Sequence, residues 1–122
     1  MAFTDAFKAV LLDAQFQNGT VYVSLHSADP GTDGSNELTA EGGYARLLME
    51  FNACGADGAT ENTNDETFGP ASGDDWPEAG YFGLWSALSG GTFRGGFQLT
   101  TPKTVAVGET AKFAAGDLDV SI

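Results

Sequence analysis

The chain has 122 residues, 42% apolar and 18% charged, a composition that supports a hydrophobic core in one domain and excludes a disordered chain. Seventeen acidic residues against five basic ones give a formal net charge of −12, which repels phosphate backbones and anionic bilayers and so excludes nucleic-acid and membrane-surface partners. One cysteine, Cys54, permits neither an intrachain disulfide nor a cysteine metal cluster, while 17 glycines point to many tight turns and a β-rich domain.

The first nineteen residues read as an N-terminal helix that packs on the domain or on a neighbour. Residues 4–16 read as the helix itself, and Phe3, just before it, Phe7, Val10, Leu11 and Ala14 recur at helical spacing and make one apolar face. Thr4 is placed to cap the N-terminus, Asp5 suits the first turn, and the Gln17-Asn18-Gly19 run ends the helix. This stretch has no basic leader and no continuous apolar run, so it does not read as a signal peptide. No segment approaches the roughly 18 apolar residues that cross a bilayer. The expected product is a soluble protein made in the cytosol.

Residues 20–122 read as a single β-sandwich domain. In 20–27, Val21, Val23 and Leu25 face one way, and Tyr22, Ser24 and His26 face outward. A turn-forming loop follows over 28–36, in which Asp29-Pro30-Gly31 begins a fixed turn. Residues 44–51 form the next expected strand, with Ala45, Leu47, Met49 and Phe51 inward and Arg46 and Glu50 outward. Residues 52–66 are rich in Gly, Asn and Asp, a short strand is expected at 66–68, and 69–80 reads as an irregular connection.

The stretch Tyr81–Leu88 is apolar on both faces, broken only by Gly83 and Ser86. Such a strand is covered on both sides. The expected cover is the N-terminal helix, a second chain, or both. Residues 92–100 supply another strand, with Gly95 and Gly96 marking a bulge or a close backbone approach, and two or three short strands surround Gly108 and Gly116. Seven or eight strands with mixed loop lengths suit a β-sandwich or jelly roll carrying one short amphipathic helix.

No constellation reads as catalytic. His26 is the only histidine, and Ser24 shares its face, but no nucleophile elbow or orienting carboxylate marks a triad. Asp29, Asp33, Asn36 and Glu37 resemble a calcium loop only superficially, since the EF-hand spacing is missing. The glycine-rich stretches lack the phosphate-loop pattern. No catalytic residue, cofactor or metal is therefore expected. From Asp29 to Glu78 there are twelve acids and one basic residue, Arg46; this belt reads as a solubilising surface, or as a face for a basic partner.

The motifs "LHSADPGTDGSNEL", "GGYAR", "FGLWSALSGG" and "TPKTVAVGETAKFAAG" together resemble a family of small tailed-bacteriophage virion proteins, known as tail-fibre-like or capsid cement (decoration) proteins. The resemblance covers nearly the whole chain and implies a non-enzymatic virion component. The leading expectation is a cement protein, dimeric or trimeric, on the capsid exterior and bound to the major capsid protein. The alternative is a tail-fibre or adsorption module that binds host glycan or a tail protein. Hydrophobicity alone nominates the contact residues: Phe3, Phe7 and Leu11 on the helix, and Trp76, Tyr81, Phe82 and Trp85 around the apolar strand.

Overall fold

The computed structural model describes residues 4–16, 21–38, 42–53 and 59–121. Helix α1 (Asp5–Phe16) is followed by strands β1 (Tyr22–His26), β2 (Leu47–Leu48), β3 (Ala59–Glu61), β4 (Glu66–Phe68), β5 (Trp76–Trp85), β6 (Phe93–Val105), β7 (Ala111–Phe113) and β8 (Asp119–Ser121). The protein is mainly β, with a short N-terminal helix, as expected. One four-stranded antiparallel sheet has the order β2-β1-β5-β6, and two ribbons pair β3 with β8 and β4 with β7.

A single core joins the three sheets. Val23 and Leu25 of β1 and Phe82 and Leu84 of β5 are cross-strand partners on one face. They bury against Phe68 of β4, Phe113 of β7, and Val120 of β8. Phe68 and Phe113 meet edge to face, with ring centres 5.8 Å apart, a favoured aromatic geometry. The main sheet and the ribbons thus form a sandwich-like pair of layers over one interior.

Three elements differ from the expectation. The strand expected over 44–51 is reduced to Leu47–Leu48, because the chain changes partners. Met49 N–H still donates to the Val21 carbonyl, just before β1, but Phe51 bridges to Asn62 and Asn52 N–H donates to Glu61. A segment that crosses from one sheet to another cannot be one continuous strand. The same crossing organises β3, which its polar composition had hidden.

Strand β5 starts at Trp76, inside the stretch expected to be irregular, and carries Pro77. A proline removes a ladder donor and survives in a sheet only at an edge or an irregularity. The β5–β6 register shifts between Trp76 and Ala79, which accommodates Pro77, and Pro102 lies on the edge strand β6. A further shift at Leu84/Trp85 leaves Arg94 as the extra residue beside Gly95, where a bulge was expected. Gly108 makes a turn, with Glu109 N–H donating to the Ala106 carbonyl at 2.8 Å. That turn does not close a hairpin, because β6 pairs with β5 and β7 with β4.

The second face of β5 is covered by the 27–36 loop, a strap folded back over the sheet. Ser27 N–H donates to Asn36 and Leu38 N–H donates to Leu25, which fixes the strap at its base. Gly31 N–H donates to the Asp29 carboxylate at 2.9 Å, and Gly34 and Ser35 N–H both reach the Pro30 carbonyl. The approach is too close for side chains at two points. A Cβ on Gly34 would lie 2.4 Å from Cζ2 of Trp85, and one on Gly96 would lie 2.5 Å from Cγ of Pro30. Helix α1 lies against β3 instead. Its capping is as expected: Phe7 N–H donates to Thr4 Oγ1 at 3.3 Å.

Candidate interaction surfaces

Ser24, His26 and Trp85 lie on the covered face of the main sheet, since successive residues of a strand point to opposite sides. His26 was expected to face solvent; the strap buries it completely, and Ser24 with it. The hydrogen bonds allow one reading. Trp85 Nε1–H can only donate, and it donates to Ser24 Oγ at 2.8 Å. The Ser24 hydroxyl then donates to His26 Nε2 at 2.6 Å. Nδ1–H of His26 donates to the Ser35 carbonyl at 2.7 Å, tying the ring to the strap. Burial holds the His26 pKa below its ordinary 6.5, against opposing contributions from the Ser35 carbonyl and Glu37. Ser24 and His26 are bonded as in a catalytic pair, but the third group is a peptide carbonyl and both side chains are sealed.

A second network adjoins the first. Arg46, expected to face solvent, forks onto Glu37, with Nε donating to Oε2 at 2.9 Å and Nη2 to Oε1 at 2.8 Å. Nη1 donates to the carbonyls of Ala87 and Gly90, so the guanidinium also pins the loop after β5. Tyr44 Oη–H donates to Glu37 Oε2 at 2.7 Å and accepts from Leu25 N–H at 3.1 Å. Burial raises the Glu37 pKa, but the Arg46 and Tyr44 donors outweigh it and hold the carboxyl below its ordinary 4.5. Burial, with the Glu37 carboxylate as acceptor, pushes the Tyr44 hydroxyl strongly upward. A cleft of about 320 Å³ opens beside this network, lined by Glu37, Tyr44, Ala45, Arg46, Leu88 and Ser89. The carboxylate, guanidinium and phenol that line it are already engaged with one another.

The expected contact residues separate into two groups. Trp76 is 3% exposed, donates Nε1–H to the Gly42 carbonyl at 2.9 Å and meets Tyr44 edge to face. Phe82 is 1% exposed and stacks on Phe97 with ring centres 5.4 Å apart. Trp85 lies beneath the strap, Arg46 and Phe93. These three rings are filled in by their own chain, and only Tyr81 retains partial exposure. Trp76 and Trp85 also sit at opposite ends of a ten-residue strand, so the aromatic cluster seen in the sequence is not one patch. The helix residues are different. Phe7 is 45% exposed and Leu11 is half-buried, while Phe3 falls outside the described residues. Val10, which the sequence placed on the same stripe, is 62% exposed.

Leu48, Leu88 and Val107 are the other large apolar residues that face solvent among the described residues. Leu48 had a signal in the sequence: its even position opposes the inward Leu47 and Met49. Arg46 and Glu37 had none, because their partners are nine residues apart along an irregular segment.

The acidic belt is partly structural. Asp29 and Asp33 accept N–H groups within the strap, and Glu37 is held by Arg46. Asp65 accepts from Ala115 N–H at 2.9 Å and Asp75 from Val107 N–H at 2.8 Å. Each links two distant loops. These carboxylates satisfy backbone donors where no ladder partner exists.

The family model described as Podophage GP4 fiber I protein gp80 matches residues 2–121. No curated protein matches the chain.

Proposed function

The chain belongs to the podophage GP4 fiber I protein family, gp80, and is a tailed-phage virion protein; from that premise we propose that it is a non-enzymatic building block of the tail fibre. The carrying observation is the extent of the match, which takes in the helix and the whole β body rather than one shared motif. It favours the fibre over the capsid-cement role that led the sequence reading, for which no observation speaks.

The partner on this reading is another fibre or tail subunit, together with further copies of the chain in a dimer or trimer. Contact is made through the exposed stripe of α1, where Phe7 and Val10 present apolar surface. A glycan platform built from Trp76 and Trp85 is disfavoured, because sugar stacking needs an exposed ring face and both rings are buried. The acidic exterior keeps the subunit soluble before assembly.

Copy number tests the proposal. Fibre subunits follow tail symmetry and number on the order of a dozen or a few dozen per particle, whereas a lattice-bound protein numbers in the hundreds. Quantitative mass spectrometry of purified particles is expected to give the lower figure, and particles lacking the protein are expected to have sound heads and poor adsorption. Hundreds of copies, with heads that leak on heating, would return the protein to the capsid surface.

A further inference from the structure

We infer that His26 is an acid-sensitive latch that holds the 27–36 strap over the second face of β5. Its neutral form gives every donor and acceptor in the network a partner. The indole of Trp85 can only donate, so Ser24 Oγ receives that hydrogen and passes its own to His26 Nε2. The Ser35 carbonyl can only accept, so Nδ1 carries the ring proton. The Ser24 hydroxyl thus depends on an unprotonated Nε2 as its acceptor.

A proton added at Nε2 removes the acceptor of the Ser24 hydroxyl. Two N–H groups, from Trp85 and His26, then converge on one oxygen whose own hydrogen has lost its partner. The proton also leaves a cation in a fully buried niche, which is costly without a partner. The Ser35 carbonyl and Glu37 relieve this only in part, and burial outweighs them. On β5 the cross-strand neighbour is Tyr81, and on β6 the neighbour is the Phe93 ring. Glu37, bridged to His26 from the end of the strap, is already committed to Arg46, so the two nearest charges oppose each other. Asp33, within the strap, is engaged with the Ser35 N–H and hydroxyl.

The least costly relief is for the strap to lift and let the imidazolium reach water. Most strap residues are already exposed, and the seam they make with the sheet is Pro30 on Gly96 and Gly34 on Trp85. The core between the sheet and the ribbons has no part in it. Acid is therefore expected to open the strap locally, uncovering Trp85.

The direction follows from the lowered pKa. The open state binds the proton at about 6.5 and the closed state only at lower pH. Between those values the open fraction rises about tenfold for each unit that the pH falls. In NMR titrations of the full chain, the Ser27 amide and the Trp85 indole N–H are expected to lose exchange protection by that factor per unit below pH 6.5, after correction for intrinsic rates. The His26 ¹⁵N signals are expected to report protonation at Nε2 over the same range, while the Phe68 and Phe113 amides stay protected. In His26→Asn, which keeps an N–H for the Ser35 carbonyl without a titrating ring, the response is expected to vanish. Three results would overturn the latch: strap protection indifferent to His26 protonation, loss of protection at Phe68 and Phe113 with the same midpoint, or a transition that persists in His26→Asn. The wild-type titration decides the first two even where the variant fails to fold.

Discussion

The Arg46 guanidinium stacks 3.8 Å from the centre of the Trp85 ring while its edge forks onto Glu37, joining the start of β2, the strap and the end of β5 at one point. A planar cation can stack and fork at once; a lysine ammonium cannot. The pair is about one-tenth exposed. Replacing Arg46 with methionine would leave Glu37 unpaired and is expected to cost about 2–3 kcal/mol, somewhat under the value for a fully sealed pair. Arg46→Lys keeps the charge but loses the fork and one of the carbonyl bonds, and is expected to cost about 1–2 kcal/mol. Urea denaturation measures both, and equal midpoints for the two variants would refute the geometric argument.

The seam between the strap and the sheet predicts a contrast between two glycines. Alanine at Gly96 places its Cβ 2.5 Å from the Pro30 ring, a group that cannot swing aside, whereas alanine at Gly80 meets nothing within 4 Å. Gly96→Ala is expected to lose about 1–3 kcal/mol through overpacking. Gly80→Ala is expected to be neutral or slightly stabilising. Thermal melts of the two proteins side by side make the comparison.

Glu37 gives stability a lower pH limit. Its folded pKa lies below the ordinary 4.5, so the unfolded chain takes up the proton first. Its contribution is full above about pH 4.5 and is lost as the pH falls through the folded value. Stability measured from pH 6 to 3 is expected to fall less steeply in Glu37→Gln than in the wild type below pH 4.5. Parallel curves would place the acid sensitivity in other carboxylates.

Asn62 predicts a large effect far from any expected contact. It is buried, its amide donates to the carbonyls of Asn64 and Ala114, and its Oδ1 accepts from Leu118 N–H. Asn62→Ala orphans groups on both sides of the β7–β8 turn and is expected to cost about 2–3 kcal/mol. A loss below about 0.5 kcal/mol would mean that water replaces the side chain.

Val10→Asp separates assembly from folding. The side chain is 62% exposed, so the isolated protein is expected to keep its stability within about 0.5 kcal/mol. Incorporation into particles is expected to drop severalfold, as judged by mass spectrometry of virions from a complementation strain. Normal incorporation would remove α1 from the contact surface.

Much of the fold was legible because it rests on local patterns. The helix over 4–16 was readable from the spacing of Phe7, Val10 and Leu11 with Thr4 before them, β1 from strict alternation, and the Asp29-Pro30-Gly31 turn from its residue types. The contact site was less legible. Trp76, Phe82 and Trp85 looked like a surface because they cluster in sequence, yet a chain of large aromatics gives the same pattern when a distant loop covers it.

By itself the sequence determined the class, a mainly β chain with an amphipathic helix, and that the apolar strand must be covered on both faces; the cover holds for Phe82–Trp85, where the strand ends, and not for Leu88, which faces solvent. Alternation and capping act over a few residues, so a linear reading captures them. Only the tertiary structure decided what provides the cover. Pro30 meeting Gly96, Trp85 reaching Ser24, and Arg46 closing on Glu37 are contacts between separate segments, chosen by which packing satisfies every buried donor at once. That choice moved His26 from the surface to the interior and left Phe7 and Val10, rather than the tryptophans, facing outward.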